Sequence, residues 1–306
     1  MTEAGLIAAR FVHYAALALA FGAFAYSGFA DRASAAVGTR LRRLAIGSSL
    51  AVLTASVAVL AATTAGLAGG FGALGDTAIW FTVLLDTDFG QVWSARLLLA
   101  LGLVAVALFG WGGHGWLHLL GVLAAGALLV SVALTGHAQV ESGVAGVVHK
   151  LADAIHLAAA GVWIGVLVPF LYLLSSRQQP GSPPTATAER LVAFHNTGLV
   201  AVLLLIGTGL INSWFLVGAP ERLLETTYGQ VLLVKLSLFA GMLVLAASNR
   251  LKHVPMLSRE FASGGDAAAA IARLRLQIRG EFVLGLLVLL AVALLGSIAP
   301  ASEASG

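Results

Sequence analysis

The sequence predicts an all-α polytopic membrane protein with eight transmembrane helices. Three observations lead there. Charged residues are only 10% of the 306-residue chain, against about 25% in soluble domains. Mean hydropathy is +0.96. The apolar runs are continuous and reach the roughly 20 residues a helical span needs, whereas a membrane barrel would show short alternating segments.

Taken in order, the runs place spans near 4–30, 44–68, 94–111, 117–136, 150–175, 191–217, 230–249 and 280–299. The first lacks a basic leader and is too long for a signal-peptide core, so it reads as a mature helix. One transmembrane domain over 1–300 is expected, followed by a short tail at 301–306. Alternate connections differ in charge. Those at 31–43, 112–116, 176–190 and 250–279 hold Arg32, Arg40, Arg42, Arg43, Arg177, Arg190, Arg250, Lys252, Arg259, Arg273, Arg275 and Arg279, while those at 69–93, 137–149 and 218–229 hold only Arg222. The positive-inside bias therefore makes the first set cytoplasmic and both termini and the tail periplasmic. The basic sequence pI of about 9.6 is explained by these topology determinants, so the expected surroundings are a lipid bilayer and not nucleic acid. The outer loops carry Asp76, Asp86, Asp88, Glu141, Glu221 and Glu225, an acidic surface that favours approaching cations.

An internal repeat is visible. Residues 86–102, DTDFGQVWSARLLLALG, align without gaps on 225–241, ETTYGQVLLVKLSLFAG. The two segments open the third and seventh spans. An offset of four helices preserves orientation, which predicts a parallel 4+4 repeat with halves at about 1–138 and 149–300. Extending the offset sets His13 opposite His156 and makes Arg96 the counterpart of Lys235.

The chain has no cysteine and only three methionines. That excludes disulfides, thiolate ligands, iron–sulfur clusters and c-type haem, and leaves imidazole, carboxylate and water, which suit Cu(II), Zn(II) or haem iron. His149, Asp153 and His156 are spaced by four and three residues, so they share one helix face. Ionisable groups in a span are costly and mark function by default. With His13 near the outer end of span 1 and His137 ending span 4, these five residues form the expected metal site in the outer leaflet. His114, His118, His195 and His253 are expected on the cytoplasmic side. Arg96 and Lys235 are expected to pair with Asp86, Asp88 or Asp153, to hold haem propionates, or to set the height of a lid-like loop at 69–93. Asp153 is expected to orient a ligating imidazole if it is not itself a ligand. Glu281 and Asn212 read as polar lining, and Trp80, Trp93 and Trp163 as interfacial or packing residues.

The run LTGHAQVESGVAGVVHKLADAIHLAAAGVWIGVL at 134–167, TDFGQVWSARL at 87–97, TTYGQVLLVKL at 226–236, Asn249-Arg250 and EFVLGLLVLLAVALLGSIAP at 281–300 resemble the bacterial copper resistance protein D family over nearly the whole chain. The resemblance implies an inner-membrane protein of copper uptake or tolerance, working with a separate periplasmic copper carrier of the C type. No catalytic residues are assigned, and metal binding and transport are expected in preference to an enzymatic reaction. Two alternatives stand beside copper handling. In one, His13 and His156 clamp a b-type haem for electron transfer or haem metabolism. In the other, the chain is a non-catalytic assembly scaffold.

Overall fold

The computed structural model describes residues 3–30, 35–111, 115–136, 143–175, 185–263 and 267–303, with the side chains of 27–30 and 185–195 outside that description. His114 and His137 and the side chain of His195 lie outside the described residues. Among the described residues there is no β-strand, and eight helices are long and apolar enough to cross a membrane.

The helices are α1 (Glu3–Ala30), α2 (Ala35–Leu67), α3 (Thr77–Asp86), α4 (Asp88–Phe109), α5 (Gly115–Val130), α6 (Gly143–Ser175), α7 (Thr185–Val217), α8 (Arg222–Glu225), α9 (Thr227–Ser248), α10 (Val254–Ala262) and α11 (Ala268–Leu295). Several run past the edges that hydropathy suggests. Helix α2 begins nine residues before position 44 because Ala, Leu and Arg, all good helix formers, outweigh the single Gly38 and no proline intervenes, and α11 begins at Ala268 instead of 280 because its first turns are rich in the same residues. The region 69–93, expected as a loop, holds a 3-10 turn at Phe71–Gly75 and then α3, whose first turn is capped by Asp76 accepting from the Ala78 amide at 2.9 Å. Its Trp80 indole donates to Leu74 O at 2.9 Å. Trp93 and Trp163 are buried among helices and serve packing.

The two aligned segments build the same local structure twice. The Thr87 hydroxyl accepts from the Gly90 amide at 2.9 Å and donates to Val83 O at 2.6 Å. The Thr226 hydroxyl accepts from the Gly229 amide at 3.0 Å and donates to Arg222 O at 2.7 Å. Gln91 and Gln230 then reach back to Leu85 O and Leu224 O at 3.2 and 3.0 Å. A Cβ on Gly90 would collide with the Val83–Leu84 backbone and one on Gly229 with the Arg222–Leu223 backbone. The repeated Thr, Gly and Gln are thus a cap, a close backbone approach and a second backbone tie.

The two largest of four apolar clusters among the described residues fill the bundle. One joins α1, α2, α4 and α5 through Leu17, Phe24, Val52, Leu103 and Leu128. The other joins α6, α7, α9, α10 and α11 with part of α1 and α2 through Trp163, Phe170, Leu205, Met242 and Leu274. Between them α1 crosses α6 at two glycines. A Cβ on Gly22 would overlap the Gly165 carbonyl, and a Cβ on Gly165 would overlap Ala18 O. Lipid is as apolar as leucine, so helices in a membrane associate where small residues let backbones touch. At the far end of α1 from this crossing, Arg10 Nη1 donates to Gly296 O at 2.5 Å and to Ser297 Oγ at 2.9 Å. A cation there satisfies the open carbonyls that end α11. The turn at Ala301–Glu303 is tied down in turn by Arg222, which donates to Ala301 O and Ser302 O at 3.0 Å each.

Candidate metal-handling site

His149, Asp153 and His156 share a face of α6, and that face packs on α7. The His149 ring stacks on Phe215 with centroids 4.7 Å apart and planes 9° from parallel. Asn212 Nδ2 donates to Asp153 Oδ1 at 3.2 Å. His156 Nδ1 lies 3.0 Å from Thr208 Oγ1. Helical spacing on both partners sets these three contacts, one per turn down the interface.

The hydrogen-bond network assigns the His156 tautomer. The Thr208 hydroxyl donates to Leu204 O at 2.5 Å, so its oxygen must accept from His156 Nδ1–H. That leaves the lone pair of His156 on Nε2, and among the described residues no hydrogen bond reaches it. Gly209 sits beside the ring, where a Cβ would come within 3.6 Å of Cε1. Thr208, and not Asp153, therefore fixes the orientation of this imidazole.

His13 is buried on α1 at 2% exposure and is held in the same sense. Ser56 Oγ on α2 lies 3.4 Å from Nδ1, and Arg96 Nη2 on α4 lies 2.7 Å from Nε2. A guanidinium has donors only, so Nε2 must be the acceptor and Nδ1 carries the proton. Each histidine thus faces a hydroxyl on the next span with Nδ1 and holds its lone pair on Nε2. The difference lies at Nε2. In His13 a cation occupies it.

Arg96 is 2% exposed. Its partners are His13, Thr135 Oγ1 at 3.2 Å, and the Trp93 ring, whose centroid is 4.4 Å from Cζ. Among the described residues it meets neither Asp86 nor Asp88, contrary to the expected carboxylate pairing, because it points inward from α4 to α1. Lys235, its expected counterpart on α9, acts electrostatically on His156 and Asp153. Tyr14 lies within electrostatic range of Arg10, Arg96 and Asp153, so the two clusters adjoin where α1 meets α6.

Among the described residues no three His, Asp or Glu side chains converge as a metal cage. His156 Nε2 carries a lone pair that no hydrogen bond reaches among the described residues, Asp153 accepts from Asn212, the face of His149 stacks on Phe215, and His13 Nε2 accepts from Arg96. This donor set falls short of a metal cage among the described residues. It does not fit a haem clamped between His13 and His156, since one of the two axial lone pairs is taken by Arg96. Of the histidines expected on the cytoplasmic side, His118 packs edge-on against Trp111 at 5.4 Å, and His253 closes a π-helical turn.

Sequence reasoning missed Ser56 and Thr208. The signal was present as hydroxyl residues within the apolar spans that follow His13 and His156, but Ser56 is one of several in its span, and Ser and Thr also bond their own helix, as Thr208 does here.

Comparison with known proteins gives a consistent family. The family model for the N-terminal domain of copper resistance protein D-like proteins matches residues 1–147, and that for copper resistance protein D matches residues 188–295. Copper resistance protein D of Pseudomonas syringae pv. tomato is 30% identical over 97% of this chain and 97% of its own length. Inner membrane protein YebZ of Escherichia coli is 30% identical over 96% of this chain and 98% of its own. Copper transport protein CutJ of Bacillus subtilis is 31% identical over 96% of this chain, which spans only 52% of that relative. No solved structure matches the chain.

Proposed function

Because the chain belongs to the copper resistance protein D family, we propose that it is a multi-pass protein of the bacterial inner membrane that handles copper, accepting the ion from the periplasmic side at His156 and Asp153. His137 and His149 belong to the approach, and His13 is a second imidazole reached when Arg96 yields. One observation carries this reading: Thr208 ties down His156 Nδ1 and leaves Nε2, the nitrogen a copper ion requires, without a hydrogen bond among the described residues.

The ion is cargo in this reading. An imidazole and a carboxylate hold it, with remaining positions filled by water or by a ligand brought by the donor, and a site short of ligands releases its ion readily. The donor is a separate periplasmic copper carrier of the C type. Sidedness is part of the proposal: both termini lie in the periplasm, as the loop charges favour. So is the parallel repeat, which is supported by the twin threonine caps and by the α1–α6 crossing, where Gly22 and Gly165 are as far apart in sequence as His13 and His156.

The test is stoichiometric. The full chain in lipid nanodiscs, titrated with Cu(II), should bind one ion per chain, and His156→Ala should abolish that binding while His118→Ala retains it. Retention by His156→Ala would remove the site. A reporter fused after residue 306 should behave as exported, and a cytoplasmic reporter would invert the sidedness.

A further inference from the structure

Helix α7 packs on α6, and helix α9 packs on α11. Between the two pairs lies a half-open groove of about 250 Å³. Gly198 on α7 and Ala246 and Ala247 on α9 leave the gap, and apolar side chains such as Trp163, Leu167 and Val202 wall it. Leu199 and Ala247 line the groove and are exposed, so it opens sideways onto the face that the spans turn to lipid.

The lining carries one cation. Helix α9 ends at Ser248 and passes into a π-helical turn at Asn249–His253. Such a turn shifts the register of a helix. Here Asn249 Nδ2 donates to Glu281 Oε1 on α11, while its neighbour Arg250, partly exposed, lines the groove. The other oxygen of Glu281 accepts from Trp163 Nε1 at 3.4 Å. Glu281 is 4% exposed and has both oxygens engaged, so it is spent inside the protein. Arg250 also opens a basic connection. Among the described residues of 250–279, Arg250, Lys252, Arg259, Arg273, Arg275 and Arg279 stand against the single carboxylate of Glu260. Lys252, Arg259, Arg273 and Arg279 are exposed, so the Arg250 end of the groove lies in a positive potential where the chain leaves the hydrocarbon.

We propose that this groove binds an anionic phospholipid of the bilayer, with one acyl chain along the apolar walls and the phosphate at Arg250. Each part of the occupant follows from the lining. A groove that opens sideways among apolar spans is filled from the membrane and not from water. Its volume is below the roughly 300–1,000 Å³ of pockets for drug-sized ligands, which suits a single chain. The head is set by charge. A basic pocket between spans attracts anionic headgroups, and a guanidinium offers five donors in a fork that matches a phosphate. A zwitterionic lipid gains less there, because its own cation meets the same positive surroundings. The inference depends neither on the copper site nor on which side of the membrane this end faces.

Brominated acyl chains quench tryptophan at contact, and Trp163 lines the groove. The full chain in phosphatidylcholine nanodiscs is titrated with brominated phosphatidylglycerol, and separately with brominated phosphatidylcholine. Phosphatidylglycerol should quench more strongly, and Trp163→Phe should lose that excess. Arg250→Gln should weaken the preference roughly fivefold, the effect of one basic residue at a membrane surface. Arg42→Gln, whose guanidinium is tied to Leu108 O on α4, should leave it unchanged. Ala246→Leu fills the groove and should abolish the preference, with an unchanged melting profile showing that the variant folds. Equal quenching by the two lipids, an excess retained by Trp163→Phe, or a preference unaltered in Arg250→Gln would each overturn the proposal. So would displacement of the lipid by inorganic phosphate alone, which would make the ligand a free anion.

Discussion

Arg96 Nη2 lies 2.7 Å from His13 Nε2 and occupies the one lone pair through which that imidazole could bind a metal. A guanidinium cannot be deprotonated in a protein, so only movement or substitution frees the nitrogen. His13 and His156 are therefore unequal, one blocked and one open.

Arg96→Gln should make them more alike. Glutamine still offers His13 a hydrogen bond, but a neutral and more easily displaced one, and it removes a positive charge that repels the incoming ion. Copper affinity should rise by about tenfold, equivalent to about 1.4 kcal/mol, in a competition titration against a chelator of known strength. Unchanged or weaker affinity would show that His13 takes no part in copper binding.

Thr208→Val keeps the shape of the side chain and deletes the acceptor that holds His156 Nδ1–H. Loss of a group that orients a ligand commonly lowers metal affinity by 10–100-fold, and that is the expected effect here, smaller than for His156→Ala. His253→Ala, in the π-helical turn that follows α9, should be silent. If Thr208→Val matched the parent, the tautomer assigned to His156 would not govern binding.

The α1–α6 crossing should tolerate no side chain. Gly22→Ala places a methyl group against the Gly165 backbone and should lower stability by about 1–3 kcal/mol, as overpacking does. Gly102→Ala, where a Cβ meets nothing within 4 Å, should instead be neutral or stabilise by about 0.5–1 kcal/mol. Thermal unfolding of the two purified variants side by side decides it.

The sequence alone determined the number of spans, because a bilayer of fixed thickness demands apolar runs of fixed length. It also determined the common face of His149, Asp153 and His156, which helical geometry dictates from spacing alone, and it singled out the Thr87 and Thr226 segments, whose caps form between near neighbours. What it left open was rotation. In lipid, hydropathy is the same on the face that meets a neighbouring helix as on the face that meets an acyl chain, so no apolar stripe records which way a span is turned. The tertiary structure decided that Arg96 turns inward to His13 and not outward to Asp86 or Asp88. It decided that Thr208 meets His156, 52 residues earlier in the chain, and that Glu281 meets both Asn249 and Trp163. Those pairings depend on how the helices pack, and packing alone left Nε2 of His13 occupied and Nε2 of His156 open.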